Sequence, residues 1–317
     1  MTDRNKKIVR LARGEDVPQL RALWKTVFGD GDEEIGHFFS TWFSTDLTVV
    51  IDIGGNPVSA AYILPVGELV LPCLHIDGRP GRQCTEQDSA ARCYPVAMLY
   101  AIATLPEWRG RGYGEAVTRM ACAQAAKKGY PAVVLKPADE GLFAFYEKRT
   151  DFRSFFEACE AEYSGADLPA RDGHLTMAPV SAAEYRRIRQ SLLRSCAYID
   201  IEERALTYQQ YLCKKAGGGL YKLLRNGGNG GCTGCAVIEP GENGAVHMKE
   251  LLLSPGSRVP DAVSAAVRLV KADRYYVRTL PSEGGKQNRR FAMLAPVESC
   301  PNVSYVYSAK WYGPAFD

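Results

Sequence analysis

One run of residues restricts the possible folds more than any other: Arg109-Gly-Arg-Gly-Tyr-Gly114. Before it stands VAMLYAIATL, an apolar run that predicts a buried strand. After it comes EAVTRMACAQAAKKG, whose apolar spacing predicts a helix. Glycines turn a chain at positive φ and let the main chain approach a ligand without a Cβ in the way. The first N–H groups of a helix lack intrahelical partners, and the macrodipole makes that end positive. The combination suits a pyrophosphate, and Arg109 and Arg111 add charge for it. No Gly-Lys-Ser/Thr follows, so the run is not a P-loop. Glu115 and Ala116 break a G-x-G-x-x-G pattern, and a Rossmann fold would place its loop after the first strand.

The rest of the chain orders itself around this loop. KIVRLA predicts a strand, and DVPQLRALWKTVFG a helix with Asp16 as its N-cap. EEIGHFFSTWF predicts a second helix, and LTVVIDIGG and PVSAAYILPVGELVLP two strands around Gly55-Asn56. Residues 73–93 read as a polar, turn-rich excursion before the central strand. After the loop helix come a strand (AVVLKP), a helix (GLFAFYEKR) and a strand (RSFFEACEAEY). GADLPARDG reads as a linker, dividing the chain into domains at 1–165 and 174–317. The second half repeats the theme more faintly. HLTMAPV is a strand, SAAEYRRIRQSLL a helix with a Ser181–Glu184 capping box, and GLYKLLRN and CAVIEP a hairpin across NGGNGG. AVHMKELLLS, VPDAVSAAVRLVKAD and YYVRTLP then read as strand, helix and strand, with SYVYSAKWYG a final strand.

Composition narrows the function. At 317 residues, two domains are the leading expectation. A net charge of +3 without a dense basic stripe argues against a nucleic-acid partner. No apolar run approaches the ~18–20 residues of a membrane helix, so no membrane partner is expected. MTDRNKKIVRLARGED lacks the apolar core of an export signal, which predicts a cytoplasmic protein with its 10 cysteines reduced. Cys232-Thr-Gly-Cys235 has no second pair for a zinc ribbon and enters a strand rather than a helix. His37, His75, His174 and His247 are scattered, so no metal is expected.

Arg109-x-x-Gly112-x-Gly114 resembles the Q/R-x-x-G-x-G/A signature of the GCN5-related N-acetyltransferases, the GNAT superfamily. ATLPEWRGRGYGEAV is similar to that family's strand, turn, glycine loop and helix, and LFAFYEKRTDF to its Phe-Tyr-Glu-Lys-x-Gly-Phe helix end, with Asp151 in place of Gly. The resemblance covers roughly residues 6–160. It implies an α+β fold of two GNAT-like units, each a mixed, mostly antiparallel sheet flanked by helices. The second is degenerate, because Leu253-Ser-Pro-Gly-Ser-Arg stands where the glycine loop would be. The arrangement resembles bacterial tandem-GNAT acetyltransferases of the enhanced-intracellular-survival type, without their third domain.

The resemblance implies acetyl-CoA as co-substrate and a small-molecule amine or a protein lysine as acceptor. It implies Ile102, Ala103 and Thr104 along the pantetheine arm and Arg109, Gly110, Arg111, Gly112, Tyr113, Gly114 and Glu115 around the pyrophosphate. Gly141 and Leu142 would lie on the cofactor's other side. Tyr146 matches the tyrosine that protonates the departing thiolate; its neighbours Phe143 and Phe145 leave a core aromatic as the alternative. In some relatives the terminal carboxylate enters the active site, which makes Asp317 a second catalytic candidate. Glu107 reads as a turn residue rather than a base. Asp30, Asp32, Glu33 and Glu34 either wall the acceptor site or cap a solvated helix. A non-catalytic CoA-binding protein is the alternative reading, and a tRNA-dependent aminoacyl transferase is disfavoured by the weak net charge. The sequence leaves the oligomeric state open.

Overall fold

The computed structural model describes residues 7–72, 91–166, 175–226, 231–241, 244–281, 288–296 and 309–316. The chain forms two compact units built from interleaved segments. The first comprises Met1–Val66, Tyr94–Ser154 and Ala292–Val303; the second comprises Gly67–Cys93, Phe155–Phe291 and Ser304–Asp317. The expected linker at 165–173 falls mostly outside the described residues, and the chain passes between units more often than one linker allows.

In the first unit, β1 (Lys7–Leu11), β2 (Thr48–Ile53) and β3 (Asn56–Leu71) pair antiparallel in sequence. They continue into β4 (Arg92–Thr104), which runs parallel to β5 (Ala132–Leu135). Helices α1 (Val17–Phe28) and α2 (Asp32–Trp42) precede β2. Helix α3 (Tyr113–Lys127) joins β4 to β5, and α4 (Glu140–Arg149) leads into β6 (Arg153–Ser164). Alternation along the strands sends Val49, Ile51 and Leu99 against Val117 of α3 and Phe143 and Tyr146 of α4. On α1 and α2, the ring of Trp24 meets Phe38 at 4.3 Å and Tyr62 at 5.5 Å between centroids. The edge of β5 is closed from far along the chain: Met293–Pro296 of β13 (Asn288–Pro296) pair with it antiparallel. Sequence reading found no strand there.

Asp16 departs from its expected role. It precedes α1, but its carboxylate makes no cap bond to the helix. Instead it accepts from the Arg13 amide at 2.7 Å and pairs with Arg10 at 2.6 Å. Arg10 also reaches Asp52 at 2.7 Å, so one guanidinium ties β1, β2 and the start of α1 together. Both carboxylates are buried, Asp16 at 3% and Asp52 at 5% exposure. Replacing Arg10 by Met strands two carboxylates and is expected to cost about 3 kcal/mol, read as a lowered midpoint in urea. Burial opposes ionisation of Asp16, but the Arg10 hydrogen bond, the Arg13 amide and the charge of Arg10 outweigh it and hold its pKa down. A depressed folded pKa gives stability that is present above the unfolded value of ~3.9 and lost as pH falls through the folded one. Asp16→Asn should therefore flatten the stability profile below about pH 4; an unchanged profile would assign the acid sensitivity elsewhere.

The second unit repeats the plan. β7 (Leu175–Pro179), β9 (Gly219–Arg225), β10 (Cys232–Pro240) and β11 (Ala245–Leu253) are joined antiparallel. β11 then runs parallel to β12 (Arg274–Thr279), which pairs antiparallel with Cys159–Ser164, the part of β6 that belongs to this unit. Helix α5 (Ala182–Leu192) is capped by Ser181, whose hydroxyl accepts from the Glu184 amide, as its capping box predicts. Helix α7 (Val259–Leu269) lays Ala262, Val263 and Ala266 on Val246, Met248 and Val277. Two further elements went unread in the sequence: β8 (Ala197–Ile201) and α6 (Glu203–Lys215). β8 pairs antiparallel with Gly67–Val70, the part of β3 that belongs to this unit, and parallel with β14 (Lys310–Trp311), the described part of the expected last strand.

Candidate active site in the first unit

The site begins where two parallel strands part. β4 and β5 pair only over Val96–Met98 and Ala132–Val134. Three residues later Ala101 takes φ 47°, a left-handed conformation that costs an L-residue about 1–2 kcal/mol. A non-glycine residue held there kinks the strand, as a bulge does. Beyond the kink run Ile102, Ala103 and Thr104. The Ser59 hydroxyl donates to the Ala103 carbonyl at 2.7 Å and lies 2.8 Å from Thr104 Oγ1, and the Leu105 amide donates to Val58. These contacts hold the segment to β3, away from β5.

The glycine loop follows through a short turn at Pro106–Trp108. Gly110 and Gly112 both adopt φ +75°, and a Cβ at either would meet nothing within 4 Å. Backbone conformation, not crowding, therefore demands glycine there, and the space in front of the loop is open. Gly112 is the residue before α3, and its carbonyl accepts from the Ala116 amide. The amides of Tyr113, Gly114 and Glu115 lie in the first turn, where no intrahelical acceptor exists. Gly114 differs: its φ is not positive, and an added Cβ would rest 3.6 Å from the Phe145 ring. Trp108 stacks on Tyr113 with ring centroids 6.2 Å apart, and the Arg111 guanidinium sits 4.6 Å from the Trp108 ring. Arg109 donates from Nε to the Thr104 carbonyl at 3.2 Å. Glu115 pairs with Arg119 at 3.1 Å and with Arg149 at 3.8 Å.

Helix α4 brings the remaining candidates. Gly141 and Leu142 stand exposed in its first turn, and the Leu142 amide is taken by the Asp139 carboxylate at 2.8 Å. Asp139, the N-cap, was not singled out in the sequence, although its position before a helical run is a cap signal. Tyr146 is 7% exposed, on the face that also carries Phe143, with Phe145 at 5.1 Å and Phe152 at 6.0 Å between centroids. Burial, with the Cys122 thiol nearby, pushes its phenol pKa up, so it is a proton donor across the physiological range.

Other candidates resolve differently. Asp30 accepts from the Trp24 indole at 2.7 Å, and Asp32, at the start of α2, pairs with Lys25 at 2.8 Å. Glu107 is exposed in the turn before the loop. Asp317 lies outside the described residues. Cys232 opens β10 exposed and Cys235 is buried within it, as strand-entry residues. Among the described residues no three His, Cys, Asp or Glu side chains converge as a metal site, and no helix is long and apolar enough to cross a membrane.

Residues 17–152 match the model of the acetyltransferase (GNAT) family. No curated protein matches the chain. A solved structure of a probable N-acyltransferase from Enterococcus faecalis V583 superposes with TM-score 0.65 at 16% identity, covering 93% of this chain and 73% of that one. Eis1 from Mycobacterium abscessus gives TM-score 0.55 at 10% identity over 92% and 73%. A tandem GNAT protein from the clavulanic acid biosynthesis pathway gives TM-score 0.52 at 14% identity over 92% and 98%. Residues 17–152 thus resemble the acetyltransferase (GNAT) family, and the fold of the chain is similar to that of these solved structures.

Proposed function

We propose that the first unit transfers an acetyl group from acetyl-CoA directly to a primary amine, in a complex of both substrates. The observation that carries this reading is the open, positive-φ Gly110–Gly112 turn, which leads straight into the first turn of α3, where amides have no intrahelical acceptor. The residues fit such a co-substrate. Tyr113, Gly114 and Glu115 amides suit a pyrophosphate, the parted edge of β4 from Ile102 to Thr104 suits an amide-bearing arm, and Leu142 offers apolar surface.

When bound, acetyl-CoA supplies an activated thioester carbonyl. The chain's own task is protons and positions. An alkylamine of pKa ~10.4 is about 3.4 units above pH 7, so presenting it neutral costs about 4.6 kcal/mol. The departing thiolate has a parent pKa of ~8.5, and a buried phenol is a suitable donor for it. We assign that proton to the Tyr146 hydroxyl. Tyr146→Phe should leave cofactor affinity within a few-fold and lower kcat about 100-fold. Equal loss of affinity and turnover would make Tyr146 a packing residue. The direct test is calorimetric titration with acetyl-CoA, then CoA release across an amine panel. Binding without release would favour a non-catalytic CoA-binding protein, a reading to which the deep burial of Tyr146 lends some support.

A further inference from the structure

The second unit holds a buried polar cluster that the proposed reaction does not use. Glu250 of β11 and Arg189 of α5 are 0% and 1% exposed. They pair at 2.9 Å through Arg189 Nε, and Tyr185 donates its hydroxyl to the same carboxylate at 2.7 Å. The chain's last segment completes the set. The Trp311 indole N–H donates to Glu250 Oε1, and Arg189 Nη2 donates to the Tyr312 carbonyl at 2.8 Å. Gly313, at φ +84°, lies so close that a Cβ would run into both Glu250 Oε1 and Arg189 Nη2. Beyond it the Phe316 amide donates to Gln209 Oε1 at 3.3 Å, and its ring meets Tyr208 edge-on at 5.2 Å. Trp311 and Tyr312 are at most 1% exposed.

The position of this contact is informative. Tyr185 and Arg189 are the fourth and eighth residues of α5, as Leu20 and Trp24 are of α1. Parallel pairing ends at Met248 on β11 and at Met98 on β4, and Glu250 and Tyr100 each stand two residues further on. In the first unit, Trp24 and Tyr100 face each other with centroids 6.0 Å apart. In the second, a charged pair replaces them; besides Tyr185 of α5, its remaining hydrogen-bonding atoms are met by the Ile199 and Tyr312 carbonyls and the Trp311 indole. An extended peptide that adds to a sheet edge is held by main-chain hydrogen bonds, and those it receives from an ionised group are the stronger ones.

We infer that the segment from Lys310 to Phe316 is a resident ligand of the second unit, seated in a peptide-binding cleft of which Glu250 and Arg189 form the floor. The cleft takes an extended chain with an indole donor, then a carbonyl, then a glycine. β14 adds to β8 beside it, which supplies main-chain pairing.

The test uses the chain ended at Ala309 together with a synthetic peptide of residues 310–317. The shortened chain should melt earlier than the full one. The peptide should bind it saturably and restore the melting temperature, and a peptide with Gly313→Ala should bind about ten-fold more weakly. A shortened chain that melts like the full one, or that folds and ignores the peptide, overturns the proposal. Should the shortened chain fail to fold, full-length Trp311→Phe and Gly313→Ala decide by limited proteolysis. Faster removal of the tail from an otherwise intact chain supports the proposal, and protection equal to that of the unsubstituted chain overturns it.

Discussion

Gly112→Glu should lower the affinity for acetyl-CoA by about a thousand-fold while leaving the first unit folded. Two effects add. A side chain at φ +75° is strained by about 1–2 kcal/mol. A carboxylate then stands at the helix terminus where a diphosphate is expected, and repulsion between like charges there supplies the rest of a total of about 4 kcal/mol. The open space around a Cβ at this position means that the substitution creates no clash in the free protein. Gly114→Ala is the matching control, because its Cβ would make ordinary contact with Phe145 at an unstrained φ. It should keep affinity within a few-fold. Calorimetric titration of the two variants and the unsubstituted chain measures the contrast. Equal affinity of Gly112→Glu and the unsubstituted chain would remove the loop from the binding site.

The second large effect lies in the other unit. Arg189→Ala should destabilise it by about 4 kcal/mol, because Glu250 then stays fully buried without its cation. Arg189 also donates to the Ile199 and Tyr312 carbonyls, so its loss strips β8 and the last segment of partners as well. Removing both charges together, as Arg189→Met with Glu250→Leu, should cost less than the single change, since no unpaired charge remains. Urea unfolding followed by circular dichroism gives both values. A double variant less stable than Arg189→Ala would show that the hydrogen bonds, not the charge balance, hold this centre.

Much of the first unit was legible because its signals are local. An apolar run, alternating glycines and an amphipathic stretch lie within about thirty residues, and each states its own conformation. The kink at Ala101 was not legible, since alanine carries no left-handed signal; the neighbouring strands impose it. Asp16 misled for a related reason. Its cap-like position is a local cue, but Arg10 of β1 and the Arg13 amide just after that strand hold its carboxylate instead of the helix. Contacts over long separations were invisible. Met293–Pro296 pairs with a strand about 160 residues earlier in the chain, and Arg189 reaches Glu250 across 61 residues. Helix α6 went unread because Gln209 and Gln210 interrupt its apolar spacing; Gln209 is buried for the bond it makes to Phe316.

The most direct test of the site is a crystal structure of the chain grown with CoA. The expected result is a diphosphate on the amides of Tyr113, Gly114 and Glu115, with the arm running along Ile102–Thr104. A cofactor bound elsewhere in the chain, with the Gly110–Gly112 turn facing solvent alone, would contradict it.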